Sequence, residues 1–369
     1  MNKRQNPVFF VLFIGSILFV FMIADLGKED RLYSPAEKRV LAQKPEFSLK
    51  ALWSGKYTKD YETYVTDQFV GRDKWISVKT GVDILLQKKD IQGVYLGKDG
   101  YLIEQHKESD FAKREGEKLE LLQRLVEGFD AKVMLVPTAD TIMTDKLPLY
   151  AEVYDQKAFL EKVRKQVGEE HFIDVYSELA RHAGEEIYYR TDHHWTSLGA
   201  YYGYRAWWQA TGRLPYHYKT DKMETVTEDF LGTLHSKINL PMEGEKIMIF
   251  PETVRRTPKI HYDGIKTADS YYEDSYLQGK NQYGYFLDDN HGLVEIETGY
   301  QKEASLIVIK DSYANCMAPL LAPHFGKIYL VDLRYYRGSL TALLEQYREE
   351  ETEVLVLYNC IHFLQDFKY

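Results

Sequence analysis

The tightest constraint on the fold lies near the C-terminus, where three unbroken apolar runs, residues 305–309, 327–331 and 354–358, alternate with segments of helical spacing at 314–321 and 339–348. A strand that is apolar on both faces must be covered on both faces. Short strands of this kind, interleaved with helices, are joined by crossovers into a parallel sheet between helix layers. The same rhythm runs earlier in the chain: a helical segment at 111–129, a β-rich run at 132–136 stopped by Pro137, a helical segment at 155–167, a short apolar run at 172–175, and an aromatic-rich helix at 197–211 closed by Gly212. The expectation is an α/β fold, a three-layer sandwich around a mostly parallel sheet. Residues 94–103 hold two apolar runs about a Lys98-Asp99-Gly100 turn, the signal of a hairpin. The stretch at about 214–300 breaks the rhythm with many tyrosines, glycines and aspartates, and reads as an insertion or lid in a domain spanning 91–369.

The N-terminus is of another kind. Lys3 and Arg4 precede an uncharged apolar run over residues 8–23, which Asp25, Lys28, Glu29, Asp30 and Arg31 close. At about 1.5 Å per residue this is at the short end of what spans a bilayer core. A secretory signal would end in a small-x-small cleavage site, and Met22-Ile23-Ala24 fits that poorly. Residues 1–26 are therefore expected to be an uncleaved signal anchor, a single transmembrane helix with the chain beyond it outside the cell. Residues 27–90 read as a juxtamembrane linker and helical stalk, with Tyr57, Tyr61, Tyr64, Phe69, Trp75, Val78 and Val82 recurring mostly at spacings of three and four.

Charge and cysteines exclude several functions. Lys plus Arg is 47 against 56 for Asp plus Glu, a net charge of −9. Nucleic-acid binding rests on clustered positive charge, so no nucleic-acid partner is expected. Two cysteines, Cys316 and Cys360, are too few for a disulfide scaffold or a four-cysteine zinc site; both read as small buried hydrophobes, though one disulfide between them is open. The 30 tyrosines suit both a wet, sugar-contacting cleft and a half-buried core.

Two segments carry the chemistry. In Tyr188-Tyr189-Arg190-Thr191-Asp192-His193-His194-Trp195-Thr196, residues two apart share a face of an extended chain, so Asp192 and His194 point the same way and His193 the other. A carboxylate that orients an imidazole makes a general base. In Lys310-Asp311-Ser312-Tyr313-Ala314-Asn315, a strand ends at a turn into a helix; this exposes the Ser312 hydroxyl at the sheet edge, near backbone N–H groups able to hold an oxyanion. Alternatives stand beside each reading. Ser312 or Asp192 could be a plain helix cap, and Asp192, His193 and His194 could begin a divalent-metal site, which would need a further ligand. Thr138, after the 132–136 run, falls at the same sheet edge as a weaker candidate, as do Arg334 and Tyr335 after the 327–331 run. His193 reads as structural or substrate-facing.

Taken together, the Thr191-Asp192-His193-His194-Trp195-Thr196 block, the 310–315 block and the Val94-Tyr95-Leu96-Gly97-Lys98-Asp99-Gly100-Tyr101-Leu102 segment resemble the DHHW proteins of Gram-positive bacteria. That family is similar to the AlgX and AlgJ proteins of alginate acetylation, with an SGNH-hydrolase-like fold. The resemblance implies Asp192 as orienting carboxylate, His194 as general base and Ser312 as acyl-accepting nucleophile, without cofactor or metal. The Gly of a Gly-Asp-Ser block is Lys310 here, so the expected oxyanion donors are the backbone of Ser312 and Tyr313, helped by the turn at Gly232 and Thr233. Asn315 joins the substrate-side candidates. The resemblance further implies an O-acetyltransferase or acetylesterase acting on a cell-surface polysaccharide, with a membrane-bound O-acyltransferase as acyl donor. A glycan-binding member of an acylation complex without catalysis, and a metal-dependent phosphoesterase, are the rival readings.

Overall fold

The computed structural model describes residues 5–34, 39–86 and 88–368. Lys3 and Arg4, which set the expected membrane orientation, and Pro35 of the expected linker lie outside the described residues. The chain divides into two compact units, Met1–Lys88 with Ser236–Pro241, and Lys89–His235 with Met242–Tyr369.

The first unit is helical. Gln5–Leu26 forms one helix, and its Phe21 packs against Phe69 and Trp75 at ring distances of 5.6 Å each. Among the described residues no helix is long and apolar enough to cross a membrane. The expected stalk within residues 27–90 is not one helix but the pieces Leu49–Trp53, Lys56–Gln68 and Arg72–Leu85. Gly55 and Gly71 break it, at φ of 72° and 67°, a left-handed conformation that costs glycine little.

The second unit is built on a seven-stranded sheet whose strands, in chain order, are β1 (Lys132–Val136), β2 (Lys259–Tyr262), β3 (Lys266–Ala268), β4 (Leu293–Glu297), β5 (Ser305–Lys310), β6 (Lys327–Asp332) and β7 (Thr352–Asn359). Their spatial order is β3-β2-β4-β6-β5-β7-β1. The three pairings from β6 through β5 and β7 to β1 are parallel, whereas the three from β3 to β6 are antiparallel. The sheet is mixed, not mostly parallel. The antiparallel half comes from the tyrosine-rich 214–300 stretch, which therefore belongs in part to the core. Its strands were hard to read because polar Lys259, His261, Glu295 and Glu297 alternate with buried Ile260, Tyr262, Val294 and Ile296, as in a sheet with one wet face. The 172–175 run contributes a single bridge from Phe172 to Val133 and then the helix Val175–Arg181.

Both sheet faces are covered in the parallel half. Leu306, Val308, Leu355 and Leu357 face one cluster with Trp207 and Met317; Ile307, Ile309, Val354 and Val356 face another with Leu122, Phe159 and Phe363. The registers Lys310 to Asp332, Lys310 to Leu357 and Asn359 to Val136 bring the carboxyl ends of β5, β6, β7 and β1 to one edge, where sites form in such sheets. Many tyrosines serve packing: Tyr188, Tyr189, Tyr204, Tyr218, Tyr262, Tyr271, Tyr313 and Tyr358 are all among the largest fully buried side chains.

Candidate active site

Two elements meet at that edge. β5 ends at Lys310, Asp311 follows, and Ser312 is the first residue ahead of helix Tyr313–Leu321. Ser312 does not use its hydroxyl to cap this helix; Asp311 supplies the cap instead, its Oδ1 accepting from Tyr313 N–H at 2.9 Å. The serine Oγ is thereby left for another partner. The second element is the loop before helix Ser197–Ala210, pinned where Tyr189 N–H donates to the His194 carbonyl at 3.2 Å and Thr196 N–H to the Ile187 carbonyl at 3.0 Å.

Asp192, His194 and Ser312 form one hydrogen-bonded line. His194 Nδ1 lies 2.5 Å from Asp192 Oδ1, and Nε2 lies 2.7 Å from Ser312 Oγ. A carboxylate only accepts, so Nδ1 carries the proton and Nε2 accepts from the serine hydroxyl. All three residues are buried. Tyr283 stacks flat on the His194 ring at 3.7 Å and 9°, and its hydroxyl donates to the Ser312 carbonyl at 3.2 Å. The second carboxylate oxygen of Asp192 accepts from Thr233 N–H at 2.7 Å and Thr233 Oγ at 2.9 Å.

Gly232 is needed where it stands, since a Cβ there would fall 2.2 Å from Asp192 Cβ. Its N–H donates to Thr191 Oγ at 3.0 Å. Gly232 and Thr233, expected beside the oxyanion, thus sit behind the Asp192 carboxylate. The Tyr313 N–H, also expected there, is taken by Asp311. The turn is spent on orienting a carboxylate because a buried, charged Asp192 needs donors for both oxygens.

His193 turns away from the serine. Its Nδ1 lies 2.7 Å from Thr233 Oγ, and its carbonyl accepts from the Tyr313 hydroxyl. Burial, then the neighbouring His194, pushes its pKa down to about 3, so the ring is neutral. Asn315 is committed to packing: Lys310 Nζ donates to its Oδ1 at 2.7 Å, and its amide donates to the Asp289 carbonyl at 3.1 Å. Arg334 forks onto Asp332 with contacts of 2.9 and 2.7 Å and lies over the exposed ring of Tyr335. Thr138 is buried and donates to Asp140 Oδ1 at 2.6 Å. Cys316 and Cys360 are both free and buried, and burial pushes the Cys316 thiol up to about 12.

Sequence reasoning missed Tyr283, hidden in the stretch set aside as an insertion, and His362, whose Nδ1 lies 3.0 Å from Asp311 Oδ2. His362 has no sequence signal. Although burial opposes it, His362 holds the Asp311 carboxyl below its usual range.

Ligand atoms of Asp192, His193 and His194 lie within 4.8 Å of one another, close enough to hold a metal ion. The donor set fits a metal poorly: both His194 nitrogens and His193 Nδ1 are already in hydrogen bonds.

An α/β fold whose sheet edge joins an Asp-His pair to a serine at the head of a helix is the class defined so far. The profile of the DHHW proteins matches residues 120–331, more than half of the chain, and the chain belongs to the DHHW family. Among curated proteins there is no match. A DHHW family protein from Eubacterium siraeum is similar in structure at 23% identity and a TM-score of 0.61, covering 74% of this chain and 93% of that one. Bacillus cereus PatB1 with a sulfonyl adduct is similar at 18% identity and a TM-score of 0.58, covering 76% and 99%. The O-acetyltransferase domain of Pseudomonas putida AlgJ is more distant, at 14% identity and a TM-score of 0.46, covering 75% and 94%. For the first two, at these identities, the likeness is one of fold.

Proposed function

We propose that this DHHW protein is an acyl-transfer enzyme of the SGNH-hydrolase-like type, an O-acetyltransferase or acetylesterase acting on a cell-surface polysaccharide. The observation that carries the reading is the Asp192, His194 and Ser312 line, in which the serine hydroxyl is free of helix capping and already donates to an imidazole. In the first half-reaction Ser312 Oγ attacks the acyl carbonyl while its proton passes to His194 Nε2; the leaving group takes that proton, and an acyl-serine remains. In the second, a sugar hydroxyl gives its proton to Nε2 and attacks the ester, returning Ser312. Water in place of the sugar gives esterase activity. Asp192 stabilises the imidazolium that forms in each half-reaction and keeps the ring in its tautomer.

PatB1, whose fold this chain shares, carries a sulfonyl adduct. A sulfonyl fluoride transfers its sulfonyl group to an activated nucleophile with loss of fluoride, so it is a fitting probe for Ser312. We place the protein at the cell membrane of a Gram-positive bacterium, held there by its N-terminal residues 1–26 with the chain beyond them outside, and supplied with acetyl groups by a membrane-bound O-acyltransferase. The test is turnover of p-nitrophenyl acetate by the full chain, with and without candidate glycans. Release that is quickened by a glycan and lost in Ser312→Ala supports transfer to sugar; equal release by wild type and Ser312→Ala contradicts the reading.

A further inference from the structure

A second cavity, of about 440 Å³, opens beside the segment that carries Asp192, and neither His194 nor Ser312 lines it. Its size is that of a small-molecule site, against about 20 Å³ for the cavity at Asp192 and His193. Its wall is built unlike an ordinary surface. Lys246 Nζ pairs with Glu228 Oε1 at 3.2 Å, and Arg190 Nε lies 3.9 Å from Glu245 Oε2, so these four charges cancel in pairs and Glu186 adds one further negative charge. Such a wall does not favour an anion.

The wall still offers donors and acceptors, among them the exposed carboxylate of Glu186 and the side chains of Arg190 and Lys246. Between the polar groups lie the apolar surfaces of Tyr101 and Met248. A neutral ligand with flat apolar faces and a rim of hydroxyls matches such a wall, which describes a pyranose.

We propose that this cavity binds a neutral sugar unit of a glycan, apart from the serine. The proposal shares with the acyl-transfer reading only the class of ligand and does not need Ser312. The probes are chitotetraose, maltotetraose and inorganic phosphate, titrated calorimetrically into the detergent-solubilised full chain. At least one oligosaccharide should bind; Lys246→Ala and Met248→Trp, which fills the cavity, should each weaken it about tenfold or more, and Ser312→Ala should bind as wild type. Melting temperatures near that of wild type identify variants that have kept their fold. The proposal is overturned if neither sugar binds at about 10 mM, if phosphate binds in preference, or if Ser312→Ala loses binding while Met248→Trp keeps it. Sugar binding that survives in Ser312→Ala, with no acylation of Ser312 in wild type, would uphold this site and remove the acyl-transfer reading.

Discussion

Two buried aspartate-histidine pairs stand at the same sheet edge, and they differ in what lies beyond the ring. Asp192 holds His194 at 2.5 Å, and the far nitrogen meets the Ser312 hydroxyl. Asp140 holds His106 Nδ1 at 2.8 Å, and the far nitrogen faces Glu104 Oε2 at 3.7 Å. Burial works against a charged His106, but Asp140 and Glu104 outweigh it and raise the pKa to about 9. An imidazole between two carboxylates is a cation at neutral pH and cannot take a proton. One between a carboxylate and a hydroxyl can. The supports differ too: Asp140 Oδ1 is tied to Thr138 and Gln156 within its own neighbourhood, whereas Asp192 Oδ2 is tied to the Gly232-Thr233 turn. The same two residue types thus serve packing in one place and, in the proposed reaction, proton transfer in the other.

Matched substitutions would break this comparison most sharply. Asp192→Asn should keep the fold and lower kcat on an acetyl ester by about 10³- to 10⁴-fold, because the ring loses its tautomer. Asp140→Asn should lower thermal stability and leave kcat within about threefold, because its hydrogen bonds go to His106, Thr138 and Gln156 and not to His194 or Ser312. Equal loss of kcat in both would erase the distinction. Next in size is Gly232→Ala. The added methyl would collide with Asp192 and displace it, and a misplacement of about 1 Å costs on the order of 10²-fold; wild-type kcat/KM in this variant would mean that the turn does not position the aspartate. Tyr283→Leu removes the stack on His194, with an expected loss in kcat of about 2- to 10-fold and little change in pH profile.

The smallest effect on turnover is expected from His106→Gln, which sharpens the comparison through stability instead. His106 has a folded pKa of about 9, above its unfolded value near 6.5. Its stabilisation is full below about pH 6.5 and is lost as pH rises through about 9, an effect on the order of 3 kcal/mol at most. The resistance of wild type to denaturant should therefore fall as pH rises across that window. The His106→Gln variant should lack that contribution, and a parallel pH dependence in the two would contradict the assignment.

Much of this arrangement was legible in the chain. The apolar runs fixed the parallel half of the sheet, because strands buried on both faces carry no polar alternation to confuse them. Asp192 and His194 could be paired from their spacing of two, and Ser312 from its place after a strand. The antiparallel strands β2 to β4 were not legible, since water-facing residues interrupt β2 and β4 and no residue of β3 is buried. Nor was the use of the Gly232-Thr233 turn, which depends on a contact some 40 positions away in sequence, Thr233 to Asp192. Tyr283 escaped for the same reason: its stack on His194 joins distant segments, and one more tyrosine in a tyrosine-rich stretch carries no mark of its own.

The central claim is that Ser312 is an acyl-accepting nucleophile activated by His194. Peptide mass spectrometry after brief exposure of the full chain to p-nitrophenyl acetate tests it directly. The account predicts one acetyl group on Ser312 in wild type and none there in His194→Ala; acetyl on other residues with Ser312 untouched, or labelling of Ser312 that is indifferent to His194, would contradict it.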